Sequence, residues 1–180
     1  MGIEIEKKYR LTGDGRRELT LRLEKMPNAV RRGSEFEENT LYTGRDIDTQ
    51  TTVLRLRRVG GKGILTYKRR LPSDSTVRRQ IEEETEVADS AALANILAAL
   101  NFRPALVYEK KRETWELGEV ELVIDELPFG LYVEIEGEED DILNIEKILG
   151  LDGAVVEPAT YPELAVHYGV RHGEVIEARF

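Results

Sequence analysis

The residues with the clearest chemical potential lie at the start of the chain, where two acids and then two bases occupy every second position. Successive side chains of a β-strand point to opposite faces, so in a strand over residues 2–11 these four share one face. The other face is apolar and can pack against a core. One such strand is also typical of a solvated sheet face. The four residues are Glu4, Glu6, Lys8 and Arg10.

Pairs of like charges recur at alternate positions of later predicted strands. Side chains two residues apart on a strand lie roughly 7 Å from one another and repel when their charges are alike. A ligand of opposite charge between them would relieve this repulsion, so the repetition favours a binding site over a solvated face. The acids are Glu82, Glu84, Asp125, Glu134 and Glu136; the bases are Arg55, Arg57, Lys68, Arg70, Lys110 and Arg112.

The order of predicted elements indicates an α+β fold dominated by antiparallel pairing. About eight strands are joined by hairpins, of which the Gly-rich stretch 60–63 is the strongest signal. Hydrophobic periodicity and capping residues predict helices. These cover residues 16–26, 89–100 and 138–149, with a short last helix opening at Tyr161.

The length of 180 residues predicts one domain, which we place over residues 1–170, followed by a poorly ordered tail over residues 171–180. A polar connection is expected over residues 44–50 and a turn over residues 72–75. No interdomain linker or repeat is visible.

Closure of the strands around an interior would bring the acidic and basic pairs together, because every second residue of a barrel strand faces inward. Arginine and lysine bind phosphate oxygens, arginine often through two hydrogen bonds. Carboxylates suit Mg²⁺ or Mn²⁺, which neutralises phosphate charge and activates water. A triphosphate with Mg²⁺ or Mn²⁺ satisfies both sets of side chains.

The composition excludes several other classes of function. A net charge of −9 argues against general binding to nucleic acid or to anionic membranes. The chain has no cysteine and only two histidines, so a thiolate or histidine-rich zinc site is not expected. Without a signal peptide or a long apolar run, the default location is the cytoplasm.

Several motifs resemble those of the CYTH superfamily, the triphosphate tunnel metalloenzymes, which include class IV adenylyl cyclases, thiamine triphosphatases and inorganic triphosphatases. The N-terminal Glu4-x-Glu6-x-Lys8 is similar to the signature of that group, and the other motifs follow in the same order over nearly the whole chain. The resemblance implies an eight-stranded antiparallel β-barrel with flanking helices and with charged side chains inside. The other motifs are Glu38-Asn39-Thr40-Leu41-Tyr42, Leu54-Arg55-Leu56-Arg57, Thr66-Tyr67-Lys68, Glu82-x-Glu84, Glu109-Lys110-Lys111-Arg112, Asp125, the stretch from Phe129 to Glu136, and Tyr161-Pro162-Glu163-Leu164.

The same resemblance implies roles for individual residues. Metal ligands would be Glu4, Glu6, Glu134 and Glu136, with Asp125 beside them. Phosphates would be bound by Lys8, Arg55, Arg57, Lys68, Lys110 and Arg112. Glu84, with Glu82, would assist metal binding or position water. Catalysis is therefore expected from Glu4, Glu6, Lys8, Arg57 and Glu84.

Three functions remain open at this point. The first is metal-dependent hydrolysis of a triphosphate such as inorganic triphosphate, ATP or thiamine triphosphate. The second is cyclisation of ATP to cyclic AMP and pyrophosphate, and the third is binding of nucleotide or polyphosphate without turnover. Thr40 stands where cyclase-like members carry aspartate, so hydrolysis is the preferred prediction. We expect a monomer or a homodimer.

Overall fold

The computed structural model describes residues 2–44, 47–72 and 77–180, which form ten strands and four helices. The strands are β1 (Gly2–Leu11), β2 (Ala29–Thr43), β3 (Thr52–Val59), β4 (Lys62–Arg70), β5 (Arg78–Val87), β6 (Arg103–Leu117), β7 (Val120–Leu127), β8 (Gly130–Glu136), β9 (Val170–His172) and β10 (Val175–Ala178). The helices are α1 (Gly13–Lys25), α2 (Ser90–Ala99), α3 (Glu139–Ile148) and α4 (Tyr161–Tyr168).

The first eight strands form a closed antiparallel barrel, which confirms the predicted fold. Around the barrel the order is β1-β5-β4-β3-β2-β6-β7-β8, and β8 pairs with β1 again. Short hairpins make this neighbour order possible. Gly60 and Gly61 both have positive φ, 55° and 80°, which tight hairpin turns of the primed types require.

The polarity of the barrel is inverted relative to a domain with an apolar interior. Its outer face is apolar and packs against the helices, so the hydrophobic core lies outside the lumen. Leu122 of β7 clusters with Leu23 of α1 and Ile142 of α3. On the far side, Leu56 of β3 clusters with Leu97 of α2. Strand alternation then turns the charged residues of the same strands into the lumen.

The C-terminal tail is ordered, and the expectation of a poorly ordered segment is wrong. Strand β10 pairs in parallel with residues 106–108 of β6, and β9 pairs with β10. The reason is that β7 covers β6 only over residues 111–117, which leaves a sheet edge with unpaired backbone groups. Arg179, which follows β10, forms ion pairs with Glu38 and Glu109.

The helix boundaries lie close to the predicted ones. Strand β2 is long and begins at Ala29, because its first residues pair with the end of β6. The turn expected over residues 72–75 falls mostly outside the described residues, and the connection over residues 44–50 does so in part. Within the described ranges, no helix has the length and apolar character needed to cross a membrane.

Candidate active site

The lumen contains a narrow charged cavity of about 90 Å³, room for roughly six water molecules. Most of the predicted site residues line it, whereas Glu82, Glu84 and Asp125 lie directly behind lining residues. The charged lining residues that the sequence predicted are Glu4, Glu6, Lys8, Arg55, Arg57, Lys68, Lys110, Arg112, Glu134 and Glu136.

One wall of the lumen is built by the two arginines of β3. Arg55 donates hydrogen bonds at 3.1 Å to both Thr66 and Glu84. Arg57 lies 3.2 Å from a carboxylate oxygen of Glu37. Both guanidinium groups are therefore held in place while remaining part of the cavity wall.

A buried ionic cluster joins this wall to β6 and β7. Arg112 donates hydrogen bonds to both oxygens of Asp125, at 2.8 and 2.6 Å, and a third to Glu134 at 2.9 Å. The amine of Lys110 lies 3.4 Å from Glu37 and 3.5 Å from Asp125. Burial, joined by the charge of Arg112, lowers the pKa of Lys110 to about 8. Although burial opposes them, the charges of Arg112 and Lys110 hold the pKa of Asp125 well below its usual range.

Glu4 lies at the centre of a second network. Its oxygens accept hydrogen bonds from Lys68 at 2.6 and 2.9 Å and from Gln80 at 2.7 Å. Burial opposes a downward shift, but the charge of Lys68 and a hydrogen bond with Glu82 lower the pKa of Glu4. Burial, followed by the same hydrogen bond, raises the pKa of Glu82 to about 8. The two carboxyl groups thus share one proton near neutral pH.

Three carboxylates lie in a row across neighbouring strands. Glu136 of β8 is directly opposite Glu6 of β1 on one side and Glu121 of β7 on the other. Burial, and then the charge of Glu4, raises the pKa of Glu136 to about 7. Glu136 makes no ion pair with any described residue. Like charges in direct opposition destabilise a sheet, so this row of carboxylates is unfavourable without a cation.

This surplus of negative charge fits a divalent cation, for which carboxylate oxygens are suitable ligands. In the described part of the chain, no three carboxylate or imidazole groups stand close enough together to form a ready metal site. Glu4 and Glu6 point their oxygens at Lys68 and Arg78 instead.

The raised pKa of Glu136 predicts a pH-dependent stability. A carboxyl pKa raised from 4.5 to about 7 means that the folded state binds this proton more strongly than the unfolded state. The free energy of unfolding therefore falls as pH rises between these values. We expect Glu136→Gln to be more stable than the wild type at about pH 8, with the difference lost at about pH 5, in urea denaturation curves.

Glu119→Gln, in the exposed hairpin between β6 and β7, is the matched control and should show no such pH-dependent gain. An equal effect of Glu136→Gln at both pH values would contradict the expectation.

Lys8 is a buried amine near the end of the lumen that α4 covers. Its Nζ lies 3.8 Å from Glu134 and 4.1 Å from the ring centre of Tyr161, and no described residue accepts a hydrogen bond from it. The covering helix is well specified, because Thr160 and Glu163 form a reciprocal capping box at its start. An unpaired buried ammonium is costly, and a bound anion would satisfy it.

The structure also adds lining or supporting residues that were not predicted from the sequence. Glu37 and Glu121 occupy the correct alternate positions, so the rule of like charges two residues apart could have found them beside Glu35 and Glu119. Arg78 carried no such signal, because Gln80, two residues further along the strand, is uncharged. The uncharged additions to the cavity wall are Val53, Gln80, Tyr108, Val123, Thr160, Tyr161 and Pro162.

The other two predicted basic residues, Arg10 and Arg70, lie away from the tunnel cavity. Arg10 is exposed and donates to Glu157 at 2.9 Å. Arg70 lies 3.7 Å from Glu163 and lines a second cavity of about 520 Å³. The second cavity adjoins the first, since Lys68 and Gln80 line both. Its own lining includes Leu41, Thr51, Leu106, Val166 and Ile176.

A closed antiparallel barrel with an ionic lumen and an outer apolar core defines a tunnel-type β-barrel protein. The model of the CYTH domain family matches residues 2–152. The chain therefore belongs to the CYTH domain family. Helix α4 and strands β9 and β10 follow the matched region.

Relatives are found among known sequences and solved structures. A proposed adenylate cyclase from Methanocaldococcus jannaschii is 30% identical over 119 residues, which is 64% of this chain and 67% of that protein. The PH1012 protein of Pyrococcus horikoshii has a TM-score of 0.77 at 26% identity, over 89% of this chain and 98% of that one. A proposed adenylyl cyclase from Hippeastrum, with a dominant triphosphatase activity, has a TM-score of 0.68 at 19% identity, over 92% of this chain and 94% of that one. This last likeness is one of fold alone.

Proposed function

We propose that this chain is a divalent-metal-dependent triphosphatase, which hydrolyses inorganic or organic triphosphates inside the barrel. The observation that carries the proposal is the lumen itself, where seven basic and five acidic side chains face one narrow cavity. Few ligands other than a metal-bound polyphosphate would satisfy both sets. Membership of the CYTH domain family supports the proposal.

The basic side chains would bind the phosphate oxygens and stabilise charge that develops during hydrolysis. Arg55 and Arg57 are fixed by their contacts with Glu84 and Glu37, so little reorganisation is needed when substrate binds. Lys8 offers an ammonium without a hydrogen-bond partner among the described residues. Lys68, Lys110 and Arg112 complete the predicted phosphate-binding set.

The carboxylates would hold Mg²⁺ or Mn²⁺. Glu4, Glu6, Glu134 and Glu136 are the proposed ligands, because their side chains line the cavity. When bound, such an ion neutralises phosphate charge and lowers the pKa of coordinated water. Both oxygens of Asp125 accept hydrogen bonds from Arg112. Asp125 would therefore orient the guanidinium of Arg112, in addition to any part it takes in the metal site.

Glu84 would orient the attacking water. Its carboxylate accepts from Thr66 at 2.6 Å and from Arg55 at 3.1 Å, and its side chain is 38% exposed. A carboxylate so placed can accept a hydrogen bond from water that enters beside the arginine wall.

A second candidate function is cyclisation of ATP, and the adjoining cavity is the observation that favours it. A nucleoside needs space with apolar surface and a few polar groups next to the phosphates. The second cavity has leucine, isoleucine and threonine side chains and meets the tunnel cavity at Lys68. The name of the Methanocaldococcus jannaschii relative also supports this alternative.

One product assay distinguishes the candidates. The protein is incubated with Mg²⁺ or Mn²⁺ and, separately, with inorganic triphosphate, ATP or thiamine triphosphate. We expect release of orthophosphate that chelation of the metal abolishes. Cyclic AMP with pyrophosphate would establish the cyclase instead. Tight binding of all three compounds without any product would establish a binding module and overturn the proposal.

A further inference from the structure

Arg78, the first residue of β5, reaches into the tunnel cavity beside Glu6. Its guanidinium donates a hydrogen bond to the Glu6 carboxylate at 2.5 Å and another to the carbonyl oxygen of Pro158 at 3.1 Å. The side chain is only 15% exposed. The contact with the carbonyl fixes one side of the guanidinium, so its position does not depend on Glu6 alone.

Lys8 lines the tunnel cavity together with Arg78, and the charges of the two cations repel each other. Burial lowers the pKa of Lys8; Glu134 opposes this shift and the nearby charge of Arg78 adds to it. The side chain of Lys8 is only 1% exposed, and its amine finds no hydrogen-bond acceptor in the described ranges. Two buried cations with an unsatisfied donor form a cradle for the oxygens of an anion.

Three of the four acids proposed to hold metal are paired with bases that face the same cavity. Glu4 is paired with Lys68, Glu6 with Arg78, and Glu134 with Arg112 and, at 3.8 Å, with Lys8. A divalent cation that bound Glu6 alone would leave Arg78 buried without its counter-ion, which is strongly unfavourable. A polyanion that bound Arg78 alone would likewise leave Glu6 uncompensated. Each ligand therefore removes the penalty that opposes the other.

We propose that Arg78 leaves Glu6 when substrate binds and, together with Lys8, binds a phosphoryl group of the triphosphate. The exchange of partners couples the metal and the triphosphate, so that each raises the affinity of the tunnel for the other. This inference rests on the proposed function, since it assumes that a metal-bound triphosphate occupies the lumen.

Binding measurements on Arg78→Gln test the proposal, with Mn²⁺ and the non-hydrolysable imidotriphosphate as separate probes in isothermal titration calorimetry. Imidotriphosphate without metal should bind at least about tenfold more weakly than to the wild type, because a charge-assisted contact is lost. Mn²⁺ alone should bind about fivefold or more tightly, because Glu6 no longer has a competing internal cation. A residue with a purely structural role would weaken both.

Arg79→Gln is the matched control. Arg79 is the next residue along β5 and faces the other way, where it donates to Glu139 at 2.6 Å with a side chain 40% exposed. Neither affinity should change in this variant.

The outcomes separate this inference from the proposed function. A wild-type protein that binds neither probe overturns both. A wild type that binds both probes, with unchanged imidotriphosphate affinity in Arg78→Gln, overturns the role of Arg78 only. If Arg78→Gln fails to fold, Arg78→Lys replaces it in the test. This variant should bind imidotriphosphate several-fold more weakly than the wild type, because lysine cannot make the two-point contact of arginine. Affinity equal to that of the wild type would then overturn the proposal.

Discussion

Replacement of Glu4 and Glu6 together by glutamine should lower metal-dependent triphosphatase activity by at least about a hundredfold, because both are proposed metal ligands. Glutamine keeps the size and hydrogen-bonding capacity of each side chain but not its charge. The initial rate of orthophosphate release from inorganic triphosphate with Mn²⁺ measures the effect. Calorimetric titration with Mn²⁺ should show a parallel loss of metal affinity.

The control is a double variant of two exposed acids outside the lumen, Glu24→Gln with Glu119→Gln, which changes the net charge equally. It should retain wild-type rate and metal affinity. If the Glu4 and Glu6 variant folds normally yet hydrolyses triphosphate at the wild-type rate, the metal site has been assigned to the wrong residues.

Asp125→Asn should lower the free energy of unfolding by about 3 kcal/mol or more, the range for removal of one charge from a buried ion pair. Asp125 is completely buried and accepts two hydrogen bonds from Arg112. Its loss would leave the charges of Arg112 and Lys110 less compensated in a buried place. Urea denaturation at neutral pH measures the change.

Asp14→Asn is the comparison for this experiment. Asp14 pairs with Arg17 on the surface of α1, and its side chain is 89% exposed. Such pairs contribute little, so the expected change is below about 1 kcal/mol. A loss at Asp125 no larger than the loss at Asp14 would show that the buried cluster does not stabilise the barrel.

The barrel has charges that are proposed to bind a ligand and that also pair with one another inside the fold. Without a ligand, acids and bases compensate one another across the lumen, as Glu4 and Lys68 do. A domain with an apolar interior has no such choice of partners. Here the apolar residues pack outside the barrel against α1, α2 and α3, so the lumen can be charged without loss of the hydrophobic core.

The sequence by itself was sufficient for the order of elements, the face on which each strand residue lies and most of the lumen. These properties follow from alternation, which is local: once Glu4 is in a strand, Glu6 and Lys8 must share its face. The motifs also led to the family. The same alternation, applied to Glu37 and Glu121, would have added these two residues to the predicted residues of the lumen.

Only the tertiary structure decided which charges meet. Whether Glu6 lies opposite Glu136 or beside Arg78 depends on strand register and on closure of the barrel, and both are set by pairings distant in sequence. The ordered C-terminal tail has the same origin, since its partner is an edge of β6 far back in the chain. Local patterns place side chains on a face, but long-range pairing selects the neighbours that decide their charge state and contacts.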